Sequence, residues 1–100
     1  MTPIFRWGGQ YFGFITKGSL FTADSKYLGW IEYDGSVWNS NGSYLGELVD
    51  QNYILRATAK TEPVSRNPRR QTFLPGTPDR SSNRVGRAIR DGWIDALEAR

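Results

Sequence analysis

Chemistry in this chain would have to come from carboxylates and arginines, because it contains no histidine and no cysteine. That removes the commonest neutral-pH base, the thiolate nucleophile, disulfides and the usual zinc ligands together. The acids of the first sixty residues are Asp24, Glu32, Asp34, Glu47 and Asp50. Glycoside hydrolysis needs two carboxyl groups held at a fixed separation across a sugar ring, whereas these acids fall in or beside turn signals such as Asp24-Ser25 and Asp34-Gly35, where acids are expected anyway. No pair among them makes a candidate acid and base. A phosphate-binding glycine loop, a nucleophile elbow and zinc-ligand spacing are all missing as well. The expectation is a protein that is not an enzyme and carries neither cofactor nor metal.

The second reactive pattern is basic. Residues 1–60 balance five bases against five acids, while residues 61–100 hold eight arginines, no lysine and five acids. The net charge of +3 therefore lies wholly in the tail. Between Arg66 and Arg90 seven arginines stand against Asp79 alone, a run of the kind that contacts phosphates or an acidic protein surface. Arg66, Arg69, Arg70, Arg84, Arg87 and Arg90 are the candidates for that contact. The plainer reading is a solvated tail laid across the domain and pinned by Phe73 and Leu74.

The elements that would position these groups are short and repeated. Tyr11-Phe12-Gly13, Tyr27-Leu28-Gly29 and Tyr44-Leu45-Gly46 each follow an aromatic, Phe5, Phe21 or Trp38, by six residues. Spacings of 16 and 17 residues suit a β-hairpin and are too short for a helix pair. Ile4-Phe5, Leu20-Phe21, Val37-Trp38 and Ile54-Leu55 open four units, and Leu55 stands where the first three have aromatics. This predicts seven antiparallel strands at 3–7, 10–16, 19–23, 26–33, 36–40, 43–50 and 53–60. Asn41-Gly42 is the strongest turn signal and predicts a type I′ turn, with positive φ at both central residues.

Glycine inside a strand weakens it unless something occupies the vacated space. Two structural explanations serve for Gly13, Gly29 and Gly46: a neighbouring ring such as Phe5, Phe21 or Trp38 lying over the slot, or a bulge that bends each hairpin about a common axis. Strand alternation places Tyr11, Gly13 and Ile15 on one face and Phe12 and Phe14 on the other. Exposed Trp7, Trp30 and Tyr33 would be the residues for glycan contact.

One hairpin is marginal in water, so the units must share a core and close around it, with edges covered by the tail or by another subunit. The expected organisation is an all-β hairpin-repeat domain over 1–60, with an Arg- and Pro-containing tail over 61–100 packed on it. Val85, Ala88, Ile89, Trp93, Ala96 and Leu97 fall on one face at 3.6-residue periodicity, which predicts a short helix within 83–98 despite Gly86 and Gly92.

The aromatic-x5-Tyr-Leu-Gly hairpins, the fourth unit Tyr53-Ile54-Leu55-Arg56, and the endings Arg84-Val85-Gly86-Arg87 and Gly92-Trp93-Ile94-Asp95-Ala96-Leu97 resemble bacterial 4-fold β-flower domain proteins. The resemblance implies hairpin petals around a pseudo-fourfold axis and implies no reaction, cofactor or catalytic residue. With no export signal and no apolar span at the start of the chain, the setting read from the sequence is cytoplasmic, in a bacterium or its phage. The functional expectation is a β-repeat scaffold or interaction module that self-associates or docks on a protein partner. The alternative is a nucleic-acid-binding protein that grips phosphate with the tail.

Overall fold

The structure is a computed structural model that describes residues 1–58, 63–76, 78, 81–88 and 92–97. It is all-β in these residues. Eight strands follow in chain order: β1 Thr2–Phe5, β2 Tyr11–Thr16, β3 Ser19–Thr22, β4 Tyr27–Ile31, β5 Ser36–Asn39, β6 Tyr44–Val49, β7 Tyr53–Ala57 and β8 Trp93–Asp95. Neighbours in sequence are neighbours in the sheet, and every consecutive pair is antiparallel. The meander closes where Phe5 pairs in parallel with Tyr53, its N–H reaching the Asn52 carbonyl at 2.8 Å. The result is a seven-stranded barrel of hairpin petals, with β8 added to the far side of β7.

The first three petals share one irregularity. Ile4 pairs with Gly13 but Phe5 pairs with Tyr11, so Phe12 is an extra residue. The same shift makes Leu28 and Leu45 the extra residues of petals two and three. This bulge changes the side-chain alternation expected from the sequence. Phe12 and Ile15 both turn to the barrel centre, whereas Tyr11 and Phe14 pack at its periphery.

The centre is aliphatic. Ile4, Leu20, Val37 and Ile54, one from each unit, are completely buried. Phe12, Leu45 and Leu97 complete this core, with Ile15, Leu28, Ile31 and Leu48 against it. Burying each of the four axial side chains stabilises the fold by about 1.5–3 kcal/mol.

The aromatics fill pockets between successive petals. Phe14 stacks on Phe21 at 5.3 Å and Trp30 on Trp38 at 6.4 Å, while Tyr11 and Tyr44 meet Phe5 and Trp38 edge-on. Glu47 occupies the position of Phe14 and Trp30 in the third unit, and it pairs with Leu55. The stack is therefore not repeated between the third and fourth petals.

Two local expectations are corrected. Only Gly42 of Asn41-Gly42 is left-handed, at φ +91°, and the tip closes through Gly42 N–H to Asn39 O and Asn39 N–H to Ser43 O. The equivalent tips carry Gly9 and Ser25 in the left-handed region. Turns with two positive φ values lie instead at two joints between petals, Lys17-Gly18 and Asp50-Gln51.

The helix predicted within 83–98 is not formed in its described residues. Asn83–Ala88 run without regular structure, and Trp93–Asp95 pair with Ala57–Leu55 as β8. The fourth unit has a first strand but no adjoining second one, and β8 supplies it. Unpaired β7 backbone and the space taken by Leu97 outweigh a weak helical tendency interrupted by Gly86 and by Gly92, whose φ is +80°.

Candidate functional site

The repeat glycines are where one petal's backbone meets the next. A Cβ on Gly13 would fall well under 3.0 Å from the carbonyl oxygen of Phe21, and on Gly29 from that of Trp38. On Gly46 it would fall 2.6 Å from the carbonyl oxygen of Leu55. The slot is thus filled by main chain, not by a ring, and the bulge lies one residue before the glycine. The bulged residue's carbonyl then locks the petals together: Ala23 N–H reaches Phe12 O at 3.0 Å and Ser40 N–H reaches Leu28 O at 2.8 Å. At the equivalent place in petal one, Trp7 N–H is received by the Asp95 carboxylate at 2.9 Å.

The tail travels round the barrel against the order of the petals. On the third petal, Arg66 N–H bonds Gly42 O at 2.7 Å and Arg69 N–H bonds Ser40 O at 2.9 Å. On the second, Phe73 packs edge-on to Phe21 and the Gly76 carbonyl accepts the Ser25 hydroxyl. On the first, Arg84 N–H bonds Gly9 O at 2.7 Å and Arg87 N–H bonds Trp7 O at 3.1 Å. The fourth receives β8. Arg66-x-x-Arg69 and Arg84-x-x-Arg87 are therefore one docking device used twice, on tips that present the same two carbonyls.

Each of these four arginines also lies over an aromatic ring. Arg66 sits 4.5 Å from Trp38, Arg69 4.5 Å from Trp30, Arg84 4.2 Å from Phe5, and Arg87 4.4 Å from Tyr53 and 5.0 Å from Trp7. Such contacts contribute about 0.5–1 kcal/mol each at exposed sites. Arg66 additionally grips Glu32 with two N–H groups at 3.1 and 3.2 Å, and Arg87 bonds Asp50 at 2.7 Å. The Arg66 bonds hold the Glu32 carboxyl below its ordinary value, and both guanidinium groups keep their protons more tightly. Arg70 is exposed, and Arg90 lies outside the described residues. Four of the six arginines read from the sequence as partner contacts, Arg66, Arg69, Arg84 and Arg87, are thus spread around the barrel on its own rings.

The three aromatic residues considered for glycan contact do not come together. Trp30 is buried under Arg69, Trp7 is half-buried and donates its indole N–H to Ala88 O, and Tyr33 is fully exposed. Tyr33 stands on the rim of a recess of about 800 Å3 at the barrel pole formed by the joints between petals. Its floor is Ile15, Ile31 and Leu48, equivalent residues of three petals, and its rim carries Glu32 and Asp34 together with Arg69. Sequence reasoning missed this pole. The signal was present in the equivalent positions 15, 31 and 48, all aliphatic, but the bulge that turns them inward could not be read beforehand. A second recess, about 790 Å3, opens at the seam between petals one and four, among Arg6, Trp7, Gln10, Arg87, Trp93 and Asp95.

Among the described residues, no group of three or more Cys, Asp or Glu is placed to hold a metal ion, and no helix is long and apolar enough to cross a membrane. No curated protein and no solved structure matches the chain. A family model described as 4-fold beta flower protein matches residues 2–94. Together with four axial residues at the same position of four units, closure of the ring and petal-to-petal locking, this match places the chain in the 4-fold beta flower protein family.

Proposed function

We propose that this domain is a non-enzymatic interaction module that self-associates through its apolar pole. The observation that carries the reading is the recess floored by Ile15, Ile31 and Leu48, with Tyr33 fully exposed beside it. Exposed apolar surface rimmed by polar residues is the signature of an interaction site. The rim's charge arrangement favours a second copy as the occupant. Asp34 lies on the same rim as Arg69, while Glu32 is held by Arg66, so two poles related by a twofold axis can set Asp34 against Arg69, as an isologous interface allows. Tyr33 is the natural anchor, since an exposed tyrosine can bury a ring while its hydroxyl stays wet.

Light scattering on the purified chain over a concentration series tests this. The wild type should reach a dimer mass, and Leu48→Glu combined with Tyr33→Ser should remain monomeric with unchanged circular dichroism. A wild type monomeric at every concentration, or a variant as dimeric as the wild type, would overturn the reading.

A further inference from the structure

We propose that a third recess, between the joint of petals one and two and the tail and sharing Gly18, Ile31 and Arg69 with the edge of the apolar pole, binds a compact phosphate-bearing anion. Its volume is about 480 Å3, and its polar lining comprises Lys17, Ser19, Tyr27, Arg69, Arg70 and Thr72. Each of these side chains can donate a hydrogen bond, three are cations, and no carboxylate lines the recess among the described residues. Three like charges gathered without a counter-charge repel one another. A dianion with several acceptor oxygens relieves that repulsion and uses the donors at once.

The cations come from two separate segments, and Lys17 and Arg69 are held before any ligand arrives. Lys17 occupies a left-handed turn position at φ +51°, with its Nζ 5.1 Å over the Phe73 ring. Phe73 in turn is seated edge-on against Phe21. Arg69 is fixed by its backbone bond to Ser40 and by its guanidinium 4.5 Å over the Trp30 ring. A guanidinium presents a rigid fork of N–H donors, the geometry suited to an oxyanion. Burial raises the Tyr27 phenol above its ordinary value, the charge of Arg69 opposing the shift, so at neutral pH the phenol is a donor.

A compact anion fits better than a nucleic-acid strand because the tail's positive field is interrupted. Arg66 is tied to Glu32 and Arg87 to Asp50, which leaves a local pocket and no continuous track for a polymer of phosphates.

Titration with inorganic pyrophosphate at constant ionic strength, followed by the amide resonances of Gly18, Ser19 and Thr72, tests the site. Saturable shifts should appear with a dissociation constant at or below about 1 mM. Lys17→Gln with Arg70→Gln should weaken binding about tenfold or more, and Arg84→Gln on the first petal should change it less than about twofold. Both substituted positions of the double variant are exposed, and Tyr33→Ser, which alters the pole without placing a charge beside the shared Arg69, should leave the titration unaltered, which separates this site from the docking face. Shifts that do not saturate, or an equal affinity in the double variant, would overturn the inference. So would a short oligothymidine that binds more tightly than pyrophosphate and loses affinity in Arg84→Gln, a result that would mark a strand-binding surface instead.

Discussion

Gly42→Ala and Gly35→Ala form a matched pair that isolates what the tail contributes. Both glycines have φ +91°, so each substitution imposes the same left-handed strain, about 1–2 kcal/mol. Around Gly35 a new Cβ meets nothing within 4 Å, whereas at Gly42 it would collide with the Arg66 carbonyl. The tail must then leave the third petal. It would lose the Arg66-to-Gly42 and Arg69-to-Ser40 backbone bonds, about 1 kcal/mol each, and two guanidinium contacts on Trp38 and Trp30, about 0.5–1 kcal/mol each. Conformational entropy regained by the freed segment offsets part of this, at about 1–2 kcal/mol per residue released. Residues 66–69 lift together but stay tethered through Phe73 on Phe21, so they regain only part of their freedom; with about half of the roughly 3–4 kcal/mol of contacts offset, the expected excess of Gly42→Ala over Gly35→Ala is about 2 kcal/mol. In a domain of this size that is a further fall in melting temperature of about 8–16 °C. Urea and thermal melts of the two variants, with timed tryptic digestion, measure it. Cleavage after Arg66 and Arg69 should accelerate in Gly42→Ala alone. Equal destabilisation within about 0.5 kcal/mol, with equal digestion, would refute the claim that the tail is docked at this tip.

Three further outcomes follow from the same geometry. Gly29→Ala should be more damaging than Gly46→Ala, because at Gly46 the added atom would fall 2.6 Å from the Leu55 oxygen while at Gly29 it would fall still closer to that of Trp38; soluble yield and urea midpoints rank them. Leu97→Ala should cost about 2–5 kcal/mol, since a completely buried side chain would leave a cavity among the axial residues; an effect under about 1 kcal/mol would show that Leu97 does not plug the core. Acidification should destabilise the fold. Glu32 is held below its ordinary value by the Arg66 hydrogen bonds, Asp34 by Ser36 and Asp24 by Thr22, so the stabilisation is complete above the ordinary carboxylate values of 4.5 and 3.8 and is lost as pH falls through the lower folded-state values. Stability measured from neutral to strongly acidic pH should flatten in Glu32→Gln; an unchanged slope would remove Glu32 from the account.

The hairpins, their spacing and their shared centre were legible because all four units write the same apolar pair and the first three write the same Tyr-x-Gly phrase. The use of that phrase was less legible. Period-two alternation leaves a gap beside Gly13, but it does not distinguish a ring filling the gap from the Phe21 carbonyl approaching it. The bulge at Phe12 then reverses which residues face inward, which concealed Ile15, Ile31 and Leu48 as a floor. In the tail, counting charge marked the arginines, yet their docking depends on Arg-x-x-Arg matching carbonyls two residues apart on alternate tips. That match appears only once the reverse path is known. The helix expected within 83–98 is not formed in its described residues because the need of β7 for a partner is a tertiary demand that local periodicity does not express.

The placement of β8 has a kinetic consequence. Petals one to three need only nearby residues, and such hairpins zip on the microsecond scale. Pairing of Phe5 with Tyr53 and of Leu55 with Asp95 bridges long stretches of chain, and non-local steps of this sort are slow. A chain whose petals zip first presents bare β1 and β7 edges until these pairings form. At high concentration such a chain can add another copy's strand, so refolding yield should fall with protein concentration even while the finished ring stays stable.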